Sequence, residues 1–340
     1  MRAMQVVEFG SPLKLVRLAK PKLQGAFDIL VKIHASGVCH TDLHAADGDW
    51  PVKPTLPFIP GHEGVGEVVE AGELVSDVKI GDRVGVPWLY STCGHCKFCL
   101  SGWETLCGTQ KNTGYSVNGG YAEYAVADSR YVAKVPKGLD YLDISPHFCA
   151  GVTTYKAVKV SGADSSKTVL ISGVGGLGHM ALQYAKVTGA RIIAVDISDD
   201  KLELARKLGA DETINAMSKD VAKTVKSLGG VDIVIATAVS AKAFRAAFDS
   251  LNSGGTMVIV GIPPEELPIP IFELVLKGIR IVGSIVGTRQ DLQETLSLAA
   301  RRLIVCEHTI AQLEDVNDVL DQMRAGEITG RVVLQLEAHP

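Results

Sequence analysis

Two short stretches of this 340-residue chain carry most of its chemistry: Cys39-His40-Thr41-Asp42-Leu43-His44 and Gly61-His62-Glu63. A thiolate at Cys39 and an imidazole at His62 suit zinc. Neither alone says much, since a free Cys is usually a core residue and a lone His a satisfied one. Their company changes the odds. Cys93, Cys96, Cys99 and Cys107 follow C-x2-C-x2-C-x7-C. Thiols at that spacing converge on one cation, and the fourth closes a tetrahedron without an open position. We read this lobe as a structural zinc site, ahead of an iron–sulfur cluster or disulfides. His95, inside it, is expected to point to solvent.

A third motif serves a nucleotide. The strand-like run 168–172 enters Gly173-Val174-Gly175-Gly176-Leu177-Gly178, which fits G-x-G-x-x-G. An amphipathic helix follows to Thr188-Gly189, then a strand ending in Asp196, 18 residues past the last glycine. Strand, glycines, helix and acid together make a dinucleotide fingerprint. Gly173 makes the turn, Gly175 lets backbone approach a pyrophosphate, and Gly178 lets helix and strand pack closely. The pyrophosphate meets free N–H groups at a helix N-terminus. The Asp196 carboxylate accepts from a ribose diol and repels a 2′-phosphate, which favours NAD over NADP.

These motifs need two kinds of scaffold. Residues 1 to about 90 read as short strands rich in β-branched residues, broken by glycine and proline, so a β-rich barrel-like domain is expected. From 167 onward strands and helices alternate: helix 199–208, strand 231–236, helix 241–251, strands 256–261 and 280–285. That pattern predicts a doubly wound parallel sheet. Helix 289–301 and strand 330–336 are assigned back to the first domain. The expected domains are 1–150 and 287–340 for the first, and 151–286 for the second. Residues 143–159 read as largely helical. Cys149 lies within them and, taken alone, is a buried packing residue. Trp50 and Trp88 flank the loops of Cys39 and His62, as core or as walls of an apolar pocket.

Composition narrows the class. Hydrophobic residues make up 46% of the chain, enough for full cores. No run approaches the roughly 18 apolar residues of a membrane span, and the N-terminus lacks a signal-peptide core. A net charge of −4 disfavours nucleic acid or membrane as partner. Seven cysteines, four of them clustered, fit metal binding in a cytoplasmic protein better than a disulfide framework.

With these motifs in this order, and with Cys149-Ala150-Gly151 and Gly330-Arg331-Val332, the chain resembles the zinc-dependent alcohol dehydrogenases of the medium-chain dehydrogenase/reductase superfamily. Within it, the short tetrameric bacterial type fits best. The resemblance implies a Rossmann sheet plus a GroES-like catalytic domain, NAD, two zinc ions per subunit and a homotetramer. The substrate would be a small alcohol or aldehyde. It implies a catalytic zinc on Cys39, His62 and Cys149, with Glu63 able to approach it and Asp42 orienting His62. Zinc makes the alcohol proton easier to lose, and a hydride passes to the nicotinamide. The proton leaves through Thr41, the nicotinamide ribose and His44, an imidazole suiting this role near neutral pH. Taken alone, Thr41 would make a turn hydrogen bond and His44 would be a surface residue. His40 and Arg331 would meet the pyrophosphate, and Lys201 the adenosine ribose. Gly176, Leu177, Val260, Ser284 and Val286 would line the cofactor. Trp50 and Trp88 would narrow the pocket toward short primary alcohols such as ethanol. The alternative is a zinc-dependent dehydrogenase of secondary, aromatic or polyol alcohols. His147 and Cys306 gain no role beyond packing.

Overall fold

Alternation of β-branched runs with glycine-stopped helices dominates the second half, and the backbone follows it. The computed structural model describes residues 1–262 and 266–336. Its contacts divide the chain into two units. The first holds Met1–Cys149, Gly287–Arg302 and His308–Pro340, and the second Ala150–Val286 and Leu303–Glu307. Where the expected division falls at 150/151 and 287, the contacts divide at 149/150 and 287 and place 303–307 with the second unit. There Val305 N donates to Gln183 Oε1 at 2.9 Å, and Gln183 Nε2 donates to Val305 O at 2.8 Å. The last four residues of the 287–340 span lie outside the described residues.

In the second unit six parallel strands stand in the order Glu212–Asn215, Arg191–Asp196, Thr168–Ser172, Val231–Ala236, Leu251–Ile259, Arg280–Gly283. The chain builds outward from Thr168–Ser172 on one side, then crosses and builds on the other. The reversal lies at the carboxyl end of Thr168–Ser172, where ligands of such sheets bind. Helices cover the faces. Phe244, Ala247 and Phe248 of helix Ala241–Ser250 pack with Leu170, Val234 and Met257 in one core.

The first unit is β-rich. Its sheet runs His308–Gln312, Arg331–Gln335, Asp28–Val38, Gly64–Ala71, Arg83–Val86, Ala133–Lys134, with Tyr124–Asp128 also paired to Asp28–Val38. The long strand Asp28–Val38 alternates and then becomes fully buried toward Val38, which delivers Cys39 at its end. Helix 143–159 does not form as one piece. Tyr141–Ile144 is α-helical, Ser145–Phe148 is 3-10 helical and Ala150–Ser161 is α-helical. Pro146 lacks an N–H and favours a helix start, so the first helix cannot continue through it. Cys149 sits in the break, at φ −132° and ψ −69°. Among the described residues no helix is long and apolar enough to cross a membrane.

Candidate active site and metal centres

The strand Asp28–Val38 ends at Cys39, which caps helix His40–Asp47. Asp42, at the third helical position, closes a capping box by accepting from Cys39 N at 3.0 Å. Capping explains why an acid sits three residues after Cys39. Burial explains more. Asp42 is 1% exposed, and its oxygens also accept from Gly61 N and His62 Nδ1, each at 3.0 Å, and from Tyr121 Oη at 2.8 Å. One carboxylate thus fixes the start of the helix and the Gly61-His62 loop together.

Because Nδ1 of His62 donates to Asp42, the lone pair lies on Nε2. That atom is buried and has no hydrogen-bond partner among the described residues. A buried polar nitrogen without a partner costs free energy unless something else binds it. Cys39, His62 and Cys149, all buried, bring their donor atoms within 4.8 Å of one another. This set fits zinc: two soft sulfurs, one imidazole and an orienting carboxylate. A hydrogen bond joins the two thiols. The hydrogen bond from Cys149 pulls the Cys39 thiol well below its ordinary value, while the same bond and burial push Cys149 up. Burial opposes protonation of His62, but Asp42 and Cys39 outweigh it and raise its pKa.

Glu63, expected to approach the metal, lies outside that cluster of donors. It is 0% exposed, and Arg331 Nη2 donates to its Oε1 at 2.5 Å. Burial lifts the Glu63 carboxyl to about 7 against the pull of Arg331. Gly37 makes room for it, since a Cβ there would stand 1.8 Å from Glu63 Oε2. Ser145 Oγ accepts from Gly37 N at 2.7 Å and donates to Glu63 O at 2.5 Å. Arg331, expected at a pyrophosphate, thus holds Glu63 here.

Thr41 is half-buried in the first turn, and His40 beside it is exposed. His44 comes one turn later, with Nδ1 2.8 Å from Asp49 Oδ2. Trp50 stacks on His44 at 5.2 Å, and Trp88 meets His62 edge-on at 5.1 Å. Tyr115 joins the two tryptophans, 5.8 and 5.6 Å from them. The sequence reading missed Tyr115, Tyr121, Ser145 and Asp49. Only Asp49, five residues after a histidine, had a local signal. His147 is buried beside Cys149, and Cys306 is half-buried in the second unit.

The four-cysteine lobe closes as spaced. Cys93, Cys96, Cys99 and Cys107 place their sulfurs within 4.8 Å of one another. Backbone N–H of Cys93 and the Thr109 hydroxyl lower the Cys107 thiol to about 6, which favours the thiolate that a metal needs. Helix Lys97–Leu100 buries none of its residues, so the lobe has little apolar core of its own. His95 is exposed, and its Nδ1 lies 2.8 Å from Cys93 O. The lobe is pinned through Glu104, which accepts from Arg289 N at 2.7 Å and Arg289 Nη2 at 2.8 Å.

In the second unit Gly173 adopts φ +93°, which only glycine takes without strain. A Cβ on Gly178 would fall 1.8 Å from Gly173 O, so helix and strand touch there. A Cβ on Gly175 would meet nothing within 4 Å among the described residues, leaving open space over the loop. Asp196 Oδ2 accepts from Val174 N at 2.6 Å, and Oδ1 accepts from Ile197 N and Ser198 N. The acid therefore lies against the glycine turn. Gly176, Leu177 and Lys201 are half-buried, and Val260 is 9% exposed at its strand end. Ser284 has a buried hydroxyl without a hydrogen-bond partner among the described residues, and Val286 sits at φ 38°, a strained conformation for a β-branched residue. Open space, an orphaned hydroxyl and N–H groups at a helix start fit a dinucleotide.

Comparison with known proteins agrees with this geometry. The family model of the alcohol dehydrogenase GroES-like domain matches residues 25–137, and that of the zinc-binding dehydrogenases matches 176–301. An alcohol dehydrogenase of Geobacillus stearothermophilus is 55% identical over 338 residues, covering 99% of this chain and 100% of that one. One from Moraxella sp. (strain TAE123) is 54% identical over 98% of this chain and 99% of its own. The solved structure of an alcohol dehydrogenase from Aeropyrum pernix superposes with a TM-score of 0.93 at 35% identity, covering 99% of this chain and 100% of that chain. A buried Cys–His–Cys centre, a closed four-cysteine lobe and full-length identity above half lead to one conclusion. The chain belongs to the zinc-dependent alcohol dehydrogenases of the medium-chain dehydrogenase/reductase superfamily.

Proposed function

We propose that this alcohol dehydrogenase oxidises short primary alcohols such as ethanol to aldehydes, reversibly, with NAD and two zinc ions per subunit. The observation that carries the reading is the buried Cys39, His62 and Cys149 triad, with His62 Nε2 unpaired and Trp88 against its ring. When bound there, zinc acidifies the alcohol and the nicotinamide takes the hydride. The chain's own residues do the rest. Asp42 holds the His62 tautomer. Thr41 offers a hydroxyl to take the alcohol proton, and His44, braced by Asp49, passes it toward water. Trp50, Tyr115 and Trp88 form an apolar wall that favours short chains and disfavours polyols. The Asp196 charge at the glycine turn supports NAD over NADP. The open loop over Gly175 supports a dinucleotide in the second unit, which we assign as the cofactor domain.

We also assign a homotetramer working in the cytoplasm. Seven cysteines, four of them clustered at metal-binding spacing, suit a reducing compartment. Helix Ile271–Leu276 buries none of its residues, with Phe272 76% and Leu276 70% exposed. It precedes Arg280–Gly283, which among the described residues is an edge strand with one neighbour. An apolar face beside an open edge suits a symmetric contact between subunits.

The test is a panel of primary, secondary, aromatic and polyol alcohols, read by the absorbance of reduced nicotinamide with NAD and with NADP. We expect kcat/KM to peak at short primary alcohols with NAD. A peak at secondary alcohols or a preference for NADP sinks the assignment.

A further inference from the structure

Beside the glycine loop lies a buried histidine that the proposed chemistry leaves unused. His179 is 0% exposed, one residue past Gly178. Its ring faces two backbone groups. Nδ1 lies 3.0 Å from Gly175 O, and Glu307 N donates to Nε2 at 3.3 Å. A carbonyl can only accept, so Nδ1 carries the proton, and Nε2 is then the acceptor. Both contacts call for the same neutral tautomer. The backbone N–H of His179 reaches the same Gly175 oxygen at 3.2 Å, so one carbonyl receives two donors from one residue.

Fixing that carbonyl fixes more than itself. The peptide unit between Gly175 and Gly176 is planar and trans, so its N–H points opposite to its C=O. With Gly175 O drawn into the helix toward His179, the N–H of Gly176 must point outward. A Cβ placed on Gly175 would meet no atom of the described residues within 4 Å, so the loop is open to a ligand. Two adjacent glycines hold this orientation poorly by themselves, because glycine loses the most backbone freedom on ordering. The backbone of His179 is braced in turn. Gln183 Nε2 donates to His179 O at 3.0 Å and to Val305 O at 2.8 Å, and its Oε1 accepts from Val305 N at 2.9 Å. Segment Leu303–Glu307 thus backs both His179 and Gln183 within the second unit.

We infer that His179 is a positioning residue for the cofactor's pyrophosphate: its Nδ1–H holds the Gly175 carbonyl so that the Gly176 N–H faces the phosphates. The inference rests on the dinucleotide reading of this loop. Three variants of the full-length enzyme separate its two contacts. In His179→Asn the side-chain amide nitrogen can stand where Nδ1 stood, restoring the donor to Gly175. In His179→Gln the amide reaches the Nε2 side and leaves Gly175 O with only the backbone donor. His179→Ala removes both.

The measurement is inhibition by ADP-ribose, which carries the pyrophosphate, and by adenosine, which does not, each against NAD. Removing one buried donor should weaken ADP-ribose by about tenfold in His179→Ala and His179→Gln. His179→Asn should stay within about threefold of wild type, and adenosine should bind all four proteins alike. If His179→Ala fails to fold, the contrast of Asn with Gln decides. Equal ADP-ribose affinities in these two, or parallel losses for adenosine and ADP-ribose, overturn the inference and leave His179 a packing residue. If ADP-ribose fails to inhibit wild type, the dinucleotide reading falls and takes this inference with it.

Discussion

Asp42 is one carboxylate serving four donors, and each of its bonds needs an acceptor. Asp42→Asn keeps the shape but turns one oxygen into a donor that must face one of them. Variants of such partners typically lose about 10- to 100-fold in metal affinity, and we expect that loss here. Competition with a chelator measures it, and unchanged zinc affinity would refute the role of Asp42. Thr41 and His44 should act on protons and leave zinc binding intact. Thr41→Ala should lose more than about 10²-fold in the rate of hydride transfer, and Thr41→Ser should keep much of it. His44→Gln, nearer water, should lose less and recover partly with small buffer bases. Single-turnover rates across pH, with zinc content checked, read all three. A fully active Thr41→Ala enzyme removes the relay.

Elements differ in what holds them. The four-cysteine lobe has short helices and exposed Leu100, Trp103 and Leu106, so burial cannot order it. We propose that a zinc held by the four thiols contributes folding free energy here, as closed zinc sites do. Cys96→Ser should lower both the melting temperature and the zinc content, from two per chain to one. If it melts like wild type and loses only turnover, the lobe is not a structural site. Strand Arg191–Asp196 is tied at its start by Asp211, which accepts from Ile192 N at 2.7 Å and from Lys186 Nζ at 2.9 Å. Burial raises the Asp211 carboxyl, but these donors outweigh it and leave its pKa below the ordinary value. A carboxyl lowered by folding contributes stability above its unfolded pKa and loses it as pH falls through the folded one. Asp211→Asn should therefore cost about 1 kcal/mol at neutral pH, a figure discounted for solvent screening. The cost should vanish in strong acid. Urea melts at pH 7 and pH 3 test this, and an equal cost at both pH values contradicts it.

At the scale of the molecule, the apolar face of helix Ile271–Leu276 should decide assembly. Phe272→Glu with Val275→Lys should shift sedimentation toward smaller species without changing the zinc content. A tetramer that persists moves the contact elsewhere. Some of the molecule was written locally. The four thiols of the lobe lie within fifteen residues, so their spacing alone closes the site. The glycine motif was equally legible, because strand, turn and helix periodicity surround it without interruption. The parallel sheet followed from the same alternation, while Pro146 cut a helix that hydrophobic pattern alone had joined. The chain's path decided the rest. Tyr121 reaches Asp42 across 79 positions, Glu307 reaches His179 across 128, and Arg331 reaches Glu63 across 268. Taken alone Cys149 reads as a packing residue, and the break after the 3-10 turn is what brings it to Cys39 and His62. Spacing encodes geometry only over a turn or a loop. Partners farther apart are chosen by which strands pair and by which buried polar atoms remain to be satisfied, and only the folded chain determines those.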